Sequence, residues 1–274
     1  MLIDMKTLLD EATKKGYCVP APSVFNALTI ETAFSRAVKV HSPVILNAGG
    51  PLDFEFLAET AKFYSRRNPE VPVALNLDHG DDFEQAMRAI RAGFKSSAPF
   101  EENIRETKEV VHAAHIVGVS VEAELGCVGF GRLSDDENTD SFTKPEDVDI
   151  FIRETGADCL AIAIGTAHGH YKGTPKIDFE RLDAIRAVTS VPLVLHGGSS
   201  TGEENLKKAV RHGISKVNIG TDLSDAAKGN IIDFLSDHDP HQRGVYGKML
   251  TTGMQGYGDK LEEYMILFSS AGQW

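Results

Sequence analysis

The sequence has few cysteines, and they are Cys18, Cys127 and Cys159. Their number is odd, they lie far apart, and no CxxC pair occurs, which excludes a disulfide scaffold or a cysteine zinc site and fits reduced thiols in a cytoplasmic protein. Basic runs are missing too. Lys and Arg total 28 against 40 Asp and Glu, for a net charge of −12, so no basic face is available to neutralise a nucleic-acid backbone. No apolar run approaches the roughly 18 residues of a membrane span. The opening MLIDMKTLLDEATKKGY mixes acids and bases like an amphipathic helix, unlike a signal peptide. No GxGxxG follows the first predicted strand, so a dinucleotide-binding sheet has no support.

What the 274 residues do contain is a regular alternation. Short apolar runs are predicted as strands at 17–21, 42–47, 71–77, 93–98, 119–125, 158–164, 191–196 and 215–219. Helical patterns separate them, at about Asp4–Lys15, Thr29–Val40, Phe54–Arg66, Phe83–Ala92, Glu101–Val117, Pro145–Thr155, Phe179–Val188, Glu203–Arg211 and Leu223–Leu235, with a last helix ending near Phe268. Gly16 suits the residue just after the first helix, and Thr29 is read as the N-cap of the second. No composition break divides the chain. The expectation is a single-domain α/β (β/α)8 TIM barrel over residues 1–274, with its fourth strand, Gly93–Ala98, shortened. A doubly wound open sheet is the alternative.

Polar residues collect where these strands end. Asp78 and His79 follow the third strand, Glu124 closes the fifth, His168 follows the sixth and His196 ends the seventh. In a barrel these positions share one rim. Three histidines and a carboxylate converging there make a catalytic zinc shell with a position left for water or substrate. Each histidine alone is equally well read as a hydrogen-bonded strand end. The loops after the seventh and eighth strands are small and rich in N–H donors, and Gly197, Ser199, Asn218 and Thr221 suit a phosphate cradle. A metal beside a phosphate suits a phosphorylated carbonyl compound. Asp78, next to His79, is then placed to move a proton on a neighbouring hydroxyl. A Schiff-base route would need a lysine at a strand's C-terminal end. Lys216 is read as lying at the start of its strand and Lys172 beyond the sixth strand's exit, so the metal route is preferred.

These residues resemble the class II zinc-dependent ketose-bisphosphate aldolases, of the fructose- and tagatose-bisphosphate types. The matching runs are LDH at 77–79, PFEEN at 99–103, VEAELG at 121–126, AIAIGTAHGHYKG at 161–173, PKIDFERL at 175–182, VPLVLHGGS at 191–199 and KVNIGTDL at 216–223. The resemblance implies that His79, His168 and His196 hold Zn2+, with Glu124 an alternative or nearby ligand. It implies that Asp78 is the acid/base, and that Gly169, Gly197, Ser199, Asn218 and Thr221 bind substrate phosphate. The implied reaction is reversible cleavage of a phosphorylated ketose to dihydroxyacetone phosphate and an aldehyde, a lyase step of carbohydrate metabolism such as glycolysis. Members are usually homodimers or homotetramers, and some bind a monovalent cation near the phosphate.

The chain departs from the family's pattern in places. Asn76 stands where a histidine is usual, and Pro22 and Ser23 where Phe and Asn are usual. The loop after the fifth strand reads GFGRLSDDE, so its acid would come from Asp135, Asp136 or Glu137. These changes frame a second expectation, a metal-binding barrel whose lyase activity is lost or altered. A metal-dependent hydrolase is a poorer fit, because the HxH pair often found on the first strand is missing.

Overall fold

The computed structural model describes residues 1–50, 52–78, 100–130, 141–171, 173–239 and 241–274. The predicted helix at 83–92, the shortened strand at 93–98 and the acids at 135–137 lie outside them.

Helix α1 (Met5–Lys15) is capped by Asp4, whose side chain accepts from the Thr7 N–H, and stops at Gly16, which takes the left-handed φ of 73°. Strand β1 (Val19–Pro22) leads to α2 (Ala27–Val40), β2 (Val44–Gly49), α3 (Phe54–Arg67) and β3 (Val73–Asp78). From residue 100 onward come α4 (Phe100–Ile116), β4 (Glu122–Leu125), β5 (Gly129–Phe130) and α5 (Pro145–Thr155). The chain continues with β6 (Cys159–Ile162), β7 (Ala167–His168), α6 (Phe179–Val188), β8 (Leu193–Leu195), α7 (Glu203–Arg211) and β9 (Ile214–Ile219). It closes with α8 (Thr221–Ser236) and the long α9 (Val245–Leu267). No helix among the described residues is long and apolar enough to cross a membrane.

One prediction about a helix end changes. The N-cap of α2 is Asn26, and Thr29 is its third helical residue. The Asn26 side chain accepts from the Thr29 N–H at 3.0 Å, and Thr29 Oγ1 accepts from the Asn26 N–H at 3.1 Å. This reciprocal capping box needs both residues, and Thr29 resembled a cap because it supplies half of it.

All the paired strands run parallel. One sheet has the order β1-β9-β8-β6-β4, and β2 pairs with β3. A parallel bridge between Ser23 and Asn47 joins the two sets beside β1. The first strand therefore neighbours both the second and the last, which is how a barrel closes and an open doubly wound sheet does not. Side chains meeting across the lumen agree: Lys216 on β9 reaches Glu122 on β4 at 2.8 Å, and Asn218 on β9 reaches Asp78 on β3 at 2.9 Å. The fold is the (β/α)8 TIM barrel.

Helix α1 lies across the N-terminal end of the strands. The Ile3 N–H donates to the Val73 carbonyl, and Thr13 and Ser215 share a hydroxyl contact of 2.6 Å. Met5, Leu8, Leu9 and Ala12 pack into a cluster with inward-facing Val19, Ala21, Ile45, Ala74, Cys159, Ala161 and Val194. This apolar plug fills the lower barrel. The larger cluster lies between strands and outer helices and includes Phe34, Phe151, Leu160, Ile162, Leu195 and Phe268. With the bottom closed, the opposite end carries the polar groups.

Candidate active site

Strand alternation decides what faces the lumen. Above Ala74 on β3 the next inward positions are Asn76 and Asp78. Above Val194 on β8 comes His196, and on β9 the inward pair is Lys216 and Asn218. Strand β4 contributes Glu122 and Glu124. Each strand thus changes from apolar to polar as it rises from the plug.

His196 is 1% exposed and lies between two carboxylates. Its Nε2 is 2.9 Å from Glu122 Oε1, and its Nδ1 is 3.5 Å from Glu124 Oε2. The His168 ring lies 5.9 Å from the His196 ring, tilted by 32°. His168 is held there by the two-residue strand β7, which pairs with β5 in the register Phe130↔His168. Neither short strand is predicted from the sequence, because two residues carry no periodicity. His79 lies outside the described residues. Among the described residues no group of three or more His, Cys, Asp or Glu side chains is placed to hold a metal. What is present is two imidazoles and a carboxylate on neighbouring elements, at the same end of the barrel as Asp78. Neutral imidazole and carboxylate are zinc donors, and His79 would supply the third nitrogen of a catalytic shell, so the residues fit that metal.

Asp78 ends β3 opposite Gly49 of β2. A Cβ on Gly49 would stand 2.5 Å from the Asp78 carbonyl oxygen, so the close approach of the two strands here requires glycine. Asn218 Nδ2 donates to Asp78 Oδ1 at 2.9 Å, while Asn218 Oδ1 accepts from Lys216 Nζ at 2.6 Å. Asn218, expected to bind phosphate, therefore has both ends of its amide engaged within the barrel.

Two further charged residues, Glu122 and Lys216, lie at the centre of the barrel. Lys216 is not at the edge of its strand but inside it, fully buried, with Nζ 2.8 Å from Glu122 Oε2. Burial alone would push the Glu122 carboxyl up. The Lys216 ammonium and His196 overcome that and hold it at about 2. A visible signal existed: charged Glu122 and Lys216 sit two residues from Glu124 and Asn218 in otherwise apolar strands, and so share their face.

The loops around the mouth are tied together. Gly197 has φ 68°, and a Cβ there would lie 2.3 Å from the Ala167 carbonyl oxygen. The Tyr171 hydroxyl accepts from the Ala167 N–H at 2.7 Å and faces the Gly197 carbonyl at 3.0 Å, bracing the His168 loop against the Gly197 loop. Ser199 Oγ accepts from the N–H groups of Gly220 and Asp222, each at 3.2 Å. It thereby does for α8 what an N-cap side chain would do, since Gly220 has none. Asp222 in turn accepts from Ser200 N–H and Oγ, both at 2.9 Å, and from the Tyr264 hydroxyl. Thr221 opens α8, and Gly169 takes φ 83° in open space. Gly197, Ser199 and Thr221 thus gather where a helix N-terminus meets the rim, a setting that favours anions.

Residues 3–273 match the family described as Fructose-bisphosphate aldolase class-II. The chain belongs to that family. Its members are lyases, and this aldolase is similar to solved structures along its whole length. The YdjI aldolase from Escherichia coli K12 is 31% identical, with a TM-score of 0.85 over 100% of this chain and 99% of that one. A protein from Coccidioides immitis described as a fructose-1,6-bisphosphate aldolase is 26% identical, with a TM-score of 0.84 over 98% of this chain and 97% of its own. The fructose-bisphosphate aldolase of Campylobacter jejuni, 22% identical with a TM-score of 0.81 over 98% and 96% of the two chains, bears on the fold alone.

Proposed function

We propose that this aldolase is zinc-dependent and reversibly cleaves a phosphorylated ketose of the fructose- or tagatose-1,6-bisphosphate kind to dihydroxyacetone phosphate and an aldehyde. The observation that carries the reading is the meeting of Asp78, bonded to Asn218 at 2.9 Å, with His196, Glu124 and His168 at one mouth of the barrel. His79, His168 and His196 would hold the metal, with Glu124 beside them. Zinc, when bound, supplies a Lewis acid that polarises the substrate carbonyl.

The rest of the chemistry belongs to the chain. Asp78, as carboxylate, takes the proton from the hydroxyl on the carbon beyond the cleaved bond. That carbon becomes the aldehyde as the carbon–carbon bond breaks, and its electron pair passes to the ketone half, which a proton then completes as dihydroxyacetone phosphate. Asn218 keeps Asp78 oriented through its N–H donor. Gly169, Gly197, Ser199 and Thr221 line the loops that would receive the phosphate. The small side chains and tight turns there let backbone N–H groups approach its oxygens.

The test is a coupled assay for dihydroxyacetone phosphate release from fructose- and tagatose-1,6-bisphosphate, with zinc-loaded and chelated protein. Release that chelator removes and zinc restores is the expected result. Release indifferent to the chelator would overturn the zinc dependence, and no release from folded, zinc-loaded protein would overturn this substrate class.

A further inference from the structure

Beneath Asp78 and His196 lies a fully buried charged residue, Lys216. Lys216 Nζ donates to Glu122 Oε2 at 2.8 Å and to Asn218 Oδ1 at 2.6 Å. From these two acceptors one branch continues to His196, through Glu122 Oε1 at 2.9 Å, and another to Asp78, through Asn218 Nδ2 at 2.9 Å. An ammonium can only donate. It therefore sets the direction of every bond in both branches. Asn218 must turn its oxygen to Lys216 and its nitrogen to Asp78. Glu122, whose other oxygen accepts from Lys216 at 2.8 Å, turns Oε1 to His196 as an acceptor, which makes the facing ring nitrogen the donor.

We propose that Lys216 is a positioning residue for both halves of the site: through Glu122 it holds His196 as the Nε2–H tautomer with Nδ1 turned toward Glu124, and through Asn218 it presents an N–H donor to Asp78. The metal consequence rests on His196 being a zinc ligand as proposed above; the tautomer does not. A ligating histidine has its second nitrogen fixed by a neighbouring acceptor, and disturbing that acceptor weakens metal binding. Buried ion pairs return little stability compared with apolar side chains of similar volume. The consequence of this pair therefore lies in its position, with Glu122 bonded to His196 and Asn218 bonded to Asp78.

The experiment uses Lys216→Met and the double variant Lys216→Met/Glu122→Gln. The single change strands a buried carboxylate and risks misfolding. The double change leaves no charge behind, and the amide it introduces at position 122 can face His196 either way round. Two quantities are read: the His196 ring tautomer in metal-free protein at pH 8, by long-range 15N–1H NMR, and zinc affinity, by competition with a chromogenic chelator. Wild type is expected to show Nε2–H. The double variant is expected to lose that preference and bind zinc about 10- to 100-fold more weakly. A purely structural pair would lower the unfolding temperature and leave the tautomer as it was. Wild-type His196 protonated at Nδ1, or a double variant with the wild-type tautomer and affinity, would overturn the proposal. A wild-type protein with Nε2–H that binds no zinc would support the tautomer control and overturn the metal reading alone.

Discussion

Asn218 on β9 donates its amide N–H to Asp78 on β3 across the barrel mouth, at 2.9 Å. A carboxylate oriented this way is placed to take a hydroxyl proton at the barrel mouth. It is not needed to build the imidazole set. Asp78→Ala should therefore lower the cleavage rate by about 10²- to 10⁴-fold, the range of a lost general base, while zinc content stays at the wild-type level. Kinetics beside metal analysis of the same preparation checks this, and loss of zinc together with activity would count against the role given to Asp78.

Two glycines at the mouth separate backbone strain from steric contact. Gly197 and Gly169 both have positive φ, 68° and 83°. A Cβ on Gly197 would meet the Ala167 carbonyl at 2.3 Å, whereas one on Gly169 has no neighbour within 4 Å. Gly169→Ala should cost only the left-handed backbone term, about 1–2 kcal/mol. Gly197→Ala should cost more and push on Ala167, the residue before His168, so zinc affinity should fall as well. Thermal unfolding and zinc competition on the pair measure the difference; equal effects would remove the contact from the explanation.

The α2 cap gives a prediction free of the active site. Asn26 and Thr29 bond reciprocally, so Asn26→Ala should cost about 1 kcal/mol, near the middle of measured cap losses, with activity unchanged. Urea unfolding and the coupled assay together check it.

Much of this barrel was legible because parallel strands covered on both faces become near-continuous apolar runs, as in Leu193–Leu195 and Cys159–Ile162. In the second half α5 opens on Pro145 and stops before Gly156, α6 is capped by Asp178, and α5, α6 and α7 have the predicted bounds. Strands β5 and β7 were not legible, since each exists only as a two-residue pairing of loops. The pairing of Glu122 with Lys216, the latter read as lying at the start of its strand, was not legible for another reason. Attention to strand ends favours residues that reach solvent, while these two meet each other inside the lumen. Their contact depends on barrel closure, which brings together strands far apart in the chain, and not on local sequence.

The phosphate-side loops are anchored from behind by Tyr264 on α9, whose hydroxyl donates to Asp222, and Asp222 holds Ser200 through two bonds of 2.9 Å. Burial first, and the Asp222 carboxylate second, push the Tyr264 phenol well above its ordinary value of 10.0. A group whose folded-state value is raised contributes its stability fully below the unfolded value and loses it as pH rises beyond. Wild-type stability should thus decline above about pH 10. Tyr264→Phe should cost about 1.5–3 kcal/mol at pH 8, as for a hydrogen bond to a charged group, yet show a smaller further loss between pH 8 and pH 11. Some alkaline loss should remain from Tyr257, whose phenol is also raised by burial and donates to the Ser23 carbonyl at 2.8 Å. Since Asp222 would then hold the Ser199–Ser200 loop with one restraint fewer, the same variant should raise KM for the bisphosphate more than it lowers kcat. Urea midpoints at the two pH values, with steady-state kinetics at the lower one, decide the point: an unchanged alkaline slope would remove Tyr264 from the titration, and an unchanged KM would separate α9 from the phosphate loops.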